Sequence, residues 1–492
     1  MTAPARRPVI VGAAQITQRL DDPSQAGSPL DLMERAIRAA AEDAGAPDLS
    51  TRLDGIYVPQ GLWKYGDPGR MLGERLGSPR AKTMIGAVSG HIVQVLVDRA
   101  CDEIARGERD VVALVGGESE NSRRRLARRG LPLHWSEDAP GEPDARVGEI
   151  KWVRSPDEER AGLYTATAIF ALGETALRRT RGETPAAHRD RIAALSEGMS
   201  RIAARHPRAW FQEPVPASRI REPAAGNRMV HYPYTKLMTS NIAVDQSAAL
   251  LICSEETADR LGVPKAKRVY LRVATEMSHT LLLSERPGLD RHEGQALAAR
   301  RMLEIADIGP EDLDHVDLYS CFPFAVQAGA AALGVGLDPL PSLTGGMTFF
   351  GGPFGNYVLH SKATLVEALR RDPGSLGAIG SVGGSFAHFA FGLYSTEPGD
   401  SVRPRVEDVS AALARLPRRG YVVGYEGEAT IETYTVECDA SGPRHAIFAG
   451  LTDAGERVWG RAADRDLLDA LLADEEGAGR RARFSNCEVE VR

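Results

Sequence analysis

Apolar positions follow two different spacings along the first part of the chain. Residues 8–14 form a nearly unbroken apolar run that predicts a buried strand, and residues 53–58 predict another. Between them, residues 30–45 repeat apolar positions at helical spacing and finish at a glycine, which predicts an amphipathic helix. Strands that alternate with helices in this way are typical of α/β layers.

The same order of elements returns in the second half of the chain. Residues 294–308 predict a helix stopped by glycine, and residues 313–319 predict the strand after it. Both copies then continue through a Gly-rich turn into a helix and a buried strand, over residues 86–118 and 351–381, with residues 361–371 as the second helix. The repetition predicts two copies of one fold unit.

An arginine-rich insertion separates the two copies. Residues 119–230 carry a long helical stretch at 165–205 and five arginines that lie close together in sequence. Those arginines are Arg123, Arg124, Arg125, Arg128 and Arg129. Such a run is usually a solvated charged face, but guanidinium groups also match the geometry of phosphates. The pattern leaves both readings open, and we expect this lobe to cover the functional site.

The last part of the chain has the spacing of β-strands. A Pro-rich linker at 398–404 leads into a predicted short helix at 405–416. Five short segments then predict a small, OB-like β-barrel: residues 420–424, 429–437, 444–452, 457–461 and 482–491. The expected domains are residues 1–118 with 231–255 for the first copy, 119–230 for the inserted lobe, 256–397 for the second copy and 398–492 for the barrel.

Composition restricts the classes of function. A chain of 492 residues is long enough for several domains, and 43% hydrophobic with 26% charged residues is typical of globular proteins. The net charge of −7 argues against binding to nucleic acid. No apolar run is long enough to cross a bilayer and no signal-peptide core precedes the first strand, so we expect a cytoplasmic protein. Five scattered cysteines without a CxxC pair argue against structural zinc and disulfides.

The turn ahead of the helix in the first copy has the setting of a nucleophile. The first turn of a helix carries free N–H groups and the positive end of the helix dipole, which together stabilise a thiolate. The turn reads Ala87-Val88-Ser89-Gly90, which resembles the C-x-S-G nucleophile segment of thiolases with alanine in place of cysteine. A methyl group cannot accept an acyl chain, so the reactive atom is missing.

Further segments in the same order resemble the thiolase superfamily, within the sterol-carrier-protein-type thiolases and their thiolase-like relatives. These segments are residues 116–119, 240–249, 319–323, 344–346 and 351–353. The barrel, with residues 431–436, resembles the additional C-terminal domain of type 1 thiolase-like proteins. Such a chain would commonly be labelled an acetyl-CoA acetyltransferase. The resemblance implies a thiolase fold of two βαβαβ halves in αβαβα layers, with an acyl-CoA entering beneath the inserted lobe.

The resemblance also implies roles for single residues. Ala87 and Gly352 occupy the positions of the family's nucleophilic cysteine and of the histidine in its Gly-His-Pro loop. Tyr319 stands where the family has an Asn or His that orients a water in the oxyanion hole, and its hydroxyl can donate to a developing oxyanion. Cys321 matches a cysteine that acts as acid and base in the sterol-carrier-protein group, although a buried, inert thiol is an equal alternative.

Other polar residues near these motifs are further candidates. His360 and His388 are candidates for catalysis, with hydrogen-bonded core histidines as the alternative. Ser89, His91 and Asn356 are candidates for lining the pocket, and His91 could equally be an ordinary helix residue.

The expected function follows from what is missing. Because thiolysis needs a nucleophile and its base together, we expect a protein that acts on or binds a CoA thioester without standard thiolase activity. The alternatives are a non-catalytic acyl-CoA or lipid binder, and a retro-aldol C–C lyase in which the fused barrel replaces an OB-fold partner. We expect no covalently bound cofactor and no metal, with a CoA thioester as substrate or ligand. The family implies a homodimer, or a monomer if the added domain blocks the dimer face.

Overall fold

A computed structural model describes residues 6–150 and 152–491 of the chain. The strands of this part of the chain are β1 (Pro8–Thr17), β2 (Gly55–Pro59), β3 (Lys82–Gly86), β4 (Val111–Ser119), β5 (Ala145–Val147), β6 (Met229–His231), β7 (Tyr234–Thr235), β8 (Asp245–Ser254), β9 (Tyr270–Ser278), β10 (His315–Leu318), β11 (Gly377–Gly383), β12 (His388–Ser395), β13 (Arg405–Asp408), β14 (Glu426–Asp439), β15 (Gly442–Leu451), β16 (Arg457–Ala462), β17 (Arg481–Ser485) and β18 (Glu488–Val491).

The helices of the same residues are α1 (Pro29–Asp43), α2 (Pro68–Arg75), α3 (Ile92–Ala105), α4 (Glu120–Arg128), α5 (Pro156–Ala161), α6 (Ala166–Thr180), α7 (Pro185–Arg205), α8 (Ala217–Arg221), α9 (Glu255–Arg260), α10 (Glu293–Ala306), α11 (Pro323–Leu333), α12 (Gly346–Phe349), α13 (Tyr357–Arg371), α14 (Ser410–Leu413) and α15 (Arg465–Leu472). No helix among these described residues is long and apolar enough to cross a lipid bilayer.

The two predicted copies have the same strand order. The first sheet runs β1-β8-β4-β2-β3-β5, and the second runs β10-β11-β12-β9-β13. In each, an antiparallel trio is followed by a parallel neighbour: β1, β8, β4 and then β2 in the first sheet, and β9, β12, β11 and then β10 in the second. The predicted duplication is confirmed.

The two sheets enclose a central helical layer. Helices α3 and α13 each pack against strands of both sheets, whereas α1 covers the outer face of the first sheet and α10 that of the second. Both central helices are accordingly buried on nearly every side, with their apolar residues in the core. The predicted αβαβα layers of the thiolase fold are therefore confirmed.

Local sequence explains why α1 lies so close to its sheet. Ser28 and Asp31 form a capping box at the start of the helix, and Pro29 fills the first helical position, where no N–H is required. A Cβ on Gly12 of β1 would lie 2.1 Å from the carbonyl oxygen of Ala40. Only glycine permits this approach of strand to helix.

A buried polar cluster joins the two central helices. Lys362 of α13 is 1% exposed, and its ammonium group donates to Gln94 of α3 and to the hydroxyl of Tyr394 on β12. The carboxylate of Asp98 on α3 accepts from Gln94 at 2.7 Å. Burial lowers the pKa of Lys362 and raises that of Asp98.

The inserted region is more fragmented than its sequence predicts. The expected helix at 165–205 is two helices, α6 and α7, because Gly182 adopts a φ of +68° and Thr184 caps a new helix with Pro185 at its first position. Strand β5 pairs with β3 at the edge of the first sheet, and β6 pairs with β14 of the C-terminal domain. The lobe is thus tied to both of its neighbours.

The C-terminal domain is a five-stranded barrel, as predicted, but with different members. Strands β14, β15, β16, β18 and β17 follow one another around the barrel, and β14 closes it against β15. Residues 420–424 make only an isolated bridge, from Tyr421 to Arg457. The segment 482–491 is two strands, because Asn486 and Cys487 turn the chain with φ values of +47° and +72°.

The predicted helix at 405–416 is mostly wrong. Residues 405–408 form β13, which pairs in parallel with β9 of the second sheet, and only residues 410–413 are helical. Strand β13 is mostly exposed, and it covers the edge of the second sheet by pairing with the backbone of β9.

Two buried arginines hold the barrel against the rest of the chain. Arg457 has no exposed side-chain surface; it pairs with Glu432 at 2.7 Å and donates to the carbonyl oxygens of residues 283, 284 and 286. Arg178 of α6 pairs with Glu476 at 2.6 Å. Removing one partner from such a pair leaves an uncompensated buried charge, so these contacts fix the orientation of the barrel.

Candidate functional site

A cavity of about 360 Å³ lies where four segments of the two halves meet. Its walls come from residues 88–90 ahead of α3, 319–322 after β10, 352–355 ahead of α13 and 382–384 at the end of β11. Helix α6 of the inserted lobe and β6 complete it. The remaining lining residues are Ala166, Thr167, Phe170, Val230, Thr239, Ser240, Ile242 and Met347. Most of these side chains are apolar or carry a single hydroxyl, as in pockets for small organic ligands.

Three of the predicted site residues lie in the cavity wall, and so does the glycine that stands in place of the family's histidine. Ser89, Tyr319 and Cys321 line it, and so does Gly352. Gly352 is held by a backbone hydrogen bond of 2.9 Å to the carbonyl of Asn241.

Ala87 lies beside the cavity and is not one of its lining residues. Its N–H donates to the carbonyl of Val147 on β5 at 2.8 Å, and its side chain packs towards Gly148. The neighbouring Val88 is 47% exposed and does line the cavity.

Ser89 and His91 form a hydrogen-bonded pair at the start of α3. The hydroxyl oxygen of Ser89 lies 2.5 Å from Nδ1 of His91, and both side chains are buried. A Cβ on Gly383 would lie 1.7 Å from the Ser89 hydroxyl oxygen, so glycine is required there for the pair to exist. Burial, together with the nearby His388, lowers the pKa of His91 to about 3 and keeps its ring neutral.

His388 lies behind this pair. Its ring stacks on His91 with centroids 5.0 Å apart and planes inclined by 12°. It is 4% exposed, and burial followed by the charge of Arg286 lowers its pKa to about 4. His388 therefore contacts a residue of the wall through its ring, without lining the cavity itself.

Tyr319 and Cys321 present weakly acidic groups to the cavity. The Tyr319 ring packs on Gly90, where a Cβ would lie 2.5 Å from ring atoms Cε2 and Cζ. Burial raises the pKa of the Tyr319 hydroxyl and of the Cys321 thiol well above their ordinary values. Both groups are therefore protonated at neutral pH and can act as hydrogen-bond donors.

His360 and Asn356 lie in the core, away from the cavity wall. His360 is fully buried; its Nδ1 lies 2.9 Å from Oε1 of Gln15 on β1, and its Nε2 lies 3.4 Å from Nδ2 of Asn356. Burial lowers the pKa of His360 to about 3. These contacts belong to the packing of α13 against the first sheet.

The arginines of the lobe are largely occupied by neighbouring groups. Arg123 and Arg124 pair with Glu120 at 3.3 and 2.6 Å, and Arg125 donates to backbone carbonyls of residues 20 and 21. Arg129 lies 3.8 Å from Asp22. Within the described residues, no group of three or more His, Cys, Asp and Glu side chains could hold a metal ion.

The lobe lies over the site as expected, but the sequence did not indicate which of its residues reach the wall. Phe170 of α6 packs on Phe322 with ring centroids 4.9 Å apart, and Tyr234 stacks on the same ring at 5.4 Å. Ser240 lies in a segment that resembles the family but was not singled out; its hydroxyl donates to the carbonyl of Cys321 at 3.2 Å. A phenylalanine on a helix of alanine and leucine gives no sequence indication that it faces a cavity.

Comparisons with known proteins agree with this architecture. Residues 408–488 match the family model "Thiolase-like protein type 1 additional C-terminal domain". Among curated proteins, the benzoylsuccinyl-CoA thiolase subunit BbsB of Thauera aromatica is 29% identical over 165 residues, and an acetyl-CoA acetyltransferase of Methanothermobacter thermautotrophicus is 28% identical over 135 residues. These matches cover 33% and 27% of this chain and only 40% and 33% of those relatives.

A solved structure matches the whole chain. The monomeric SCP2-thiolase like protein type 1 from Mycobacterium smegmatis is 30% identical, with a TM-score of 0.83 and coverage of 100% of both chains. The chain therefore belongs to the type 1 SCP2-thiolase-like proteins that carry an additional C-terminal domain.

Proposed function

We propose that this protein binds a CoA thioester with the acyl end in the cavity, and that it does not catalyse thiolysis. The observation that carries this proposal is the convergence of four segments, around residues 89, 321, 352 and 383, on one apolar cavity. Its volume, about 360 Å³, lies within the range of small-molecule sites. The named activities of the two curated relatives involve CoA thioesters, which supports the same class of ligand here.

The chemistry of the wall argues against thiolysis. That reaction needs a sulfur nucleophile and a histidine to activate it, and positions 87 and 352 hold alanine and glycine. Cys321 cannot replace the nucleophile readily, because burial favours its thiol over the thiolate. Free CoA supplied as the acceptor would therefore not cleave the C–C bond of a bound 3-oxoacyl thioester.

Binding can be tested by filling the cavity. Thr167 lines it from the first turn of α6, and Thr167→Phe should weaken the affinity for butyryl-CoA, measured by calorimetry, at least tenfold. Ala187, exposed in the first turn of α7, offers a matched control, because Ala187→Phe adds a ring of the same kind away from the cavity. Equal affinity in both variants, or no binding to the native protein, would refute the proposal. Thiolysis of acetoacetyl-CoA should stay at background throughout.

A second candidate function is the cleavage of a C–C bond in a 3-hydroxyacyl-CoA. Retro-aldol cleavage needs a base for the hydroxyl and a donor for the enolate oxygen, without an acyl-enzyme. The observation in its favour is that Tyr319, whose hydroxyl makes no hydrogen bond to other described residues, lines the cavity as a donor for the enolate oxygen, while the neutral ring of His91 can accept the proton through the Ser89 hydroxyl. Tyr319→Phe keeps the ring on Gly90 and should lower such turnover about 100-fold. If no 3-hydroxyacyl-CoA is cleaved while CoA thioesters bind, the protein is a binder.

We also propose a monomer in solution. The relative that matches the whole chain is described as monomeric. Light scattering should then give a mass near 53.0 kDa, and a mass of twice that value would contradict the proposal.

A further inference from the structure

The Ser89–His91 pair has the arrangement of a nucleophile and its base. Ser89 lines the cavity, and its hydroxyl oxygen lies 2.5 Å from a ring nitrogen of a buried, neutral histidine. A neutral imidazole with its proton on Nε2 has a free acceptor at Nδ1, so it can take the proton of the serine. None of the positions that the thiolase resemblance assigns to the nucleophile or its base is used.

The surrounding residues hold the pair in one geometry. Gly383 leaves room for the Ser89 hydroxyl, and the stacked ring of His388 restricts rotation of His91. Both groups come from the second half of the fold. A nucleophile and base that are held by packing need little reorganisation at the moment of reaction.

Donors for an oxyanion are close to the same serine. The backbone N–H groups of residues 88–90 donate no hydrogen bond within the described residues, and they precede α3, a helix of 14 residues. The Tyr319 ring contacts Gly90 next to Ser89, and its protonated hydroxyl is available as a further donor.

We propose that Ser89 is a nucleophile and His91 its general base, and that the cavity hydrolyses acyl thioesters through an acyl-serine. This rests on the proposed binding of a CoA thioester. The Ser89 oxygen forms a bond to the carbonyl carbon while its proton moves to Nδ1 of His91. The C–S bond then breaks, and the sulfur leaves as CoA thiol with that proton. Water attacks the ester with the same base, giving a carboxylic acid and restoring the serine.

Covalent labelling tests the serine independently of CoA. Native protein incubated with p-nitrophenyl butyrate should gain one butyryl group on the peptide that contains Ser89, detected by mass spectrometry. Ser89→Ala should abolish this labelling. His91→Gln, which keeps an acceptor but cannot take a proton, should slow it about 100-fold or more. Ser136→Ala is a matched control, because the exposed Ser136 also lies two residues from a histidine, His134, but away from the cavity.

Two further variants test the dyad, and faster labelling in the first of them could not result from misfolding. Ser89→Cys should label faster than the native protein, because a thiolate is the stronger nucleophile. Gly383→Ala should reduce labelling at least tenfold, since its Cβ occupies the space of the Ser89 hydroxyl. Thermal unfolding of each variant shows whether it is folded.

The outcomes separate this proposal from the one on which it rests. Butyryl-CoA that binds but leaves Ser89 unmodified, together with no ester label, overturns the dyad and leaves the binding function intact. If the ester labels Ser89 and added CoA neither prevents nor slows this labelling, the dyad is supported and CoA binding is contradicted. A butyryl group on any other residue, at an unchanged rate in Ser89→Ala, overturns the dyad outright.

Discussion

His91 and His360 begin the two central helices of a duplicated fold, yet they have different surroundings. His91 occupies the N-cap position of α3 and contacts a serine in the cavity wall, whereas His360, in the first turn of α13, is fully buried against Gln15. Burial lowers the pKa of both rings to about 3. A lowered pKa therefore does not distinguish a candidate base from a structural histidine; the neighbouring groups and the cavity do.

The largest loss of stability is expected in the buried polar cluster between α3 and α13. Lys362 is only 1% exposed, and Lys362→Ala removes the donor to Gln94 and Tyr394. The substitution should lower the free energy of unfolding by about 3 kcal/mol. Urea denaturation provides the measurement. Arg201→Ala, which breaks an exposed pair with Glu197, is the control and should cost about 0.5 kcal/mol or less. Similar losses in both variants would show that the buried cluster does not join the halves.

A smaller effect separates the two histidines. His360→Ala leaves a void and removes the partner of Gln15 Oε1, and should lower the free energy of unfolding by about 2–3 kcal/mol, with affinity for CoA thioesters within about twofold of native. His91→Gln should lose about 1 kcal/mol, because it retains an acceptor for Ser89. A tenfold loss of CoA affinity in His360→Ala would mean that His360 belongs to the site after all.

The smallest expected effect is the dependence of the free energy of unfolding on pH. Below a pH of about 6.5 the unfolded chain protonates its histidines, while His91, His360 and His388 stay neutral in the folded protein down to about pH 3–4. Their stabilising contribution is thus complete above pH 6.5 and is lost as the pH falls towards 4, by at most about 1.4 kcal/mol per pH unit for each histidine. Urea denaturation of His360→Asn at pH 7, 6 and 5 should give a shallower slope; an unchanged slope would contradict the burial argument.

The sequence predicts the fold better than the site, for physical reasons. The duplicated strands and helices are local patterns of burial, so residues 30–45 and 294–308 can be recognised as equivalent helices. The break between α6 and α7 does carry local signals, Gly182 and the cap Thr184 before Pro185, which the prediction of a single helix overlooked.

The site depends on contacts between distant parts of the chain. Ser89 and His91 lie two residues apart in sequence, but their pairing requires a glycine at position 383. His360 and Gln15 are 345 residues apart, and nothing local indicates that they meet. Residue type and spacing identify candidates, whereas packing between the halves decides which of them reach the cavity.

The pairing of β6 with β14 has a consequence for domain exchange. Val230 of β6 forms part of the cavity wall, and the backbone of Tyr232 just beyond it is hydrogen-bonded to Val436 of the barrel at 2.9 Å. A chain shortened before the barrel would lose the support of this edge and open one side of the cavity to water. If acyl groups bind in the cavity as proposed, the barrel helps to set which of them fit, and transplanting it between related chains would be a route to new ligand selectivity.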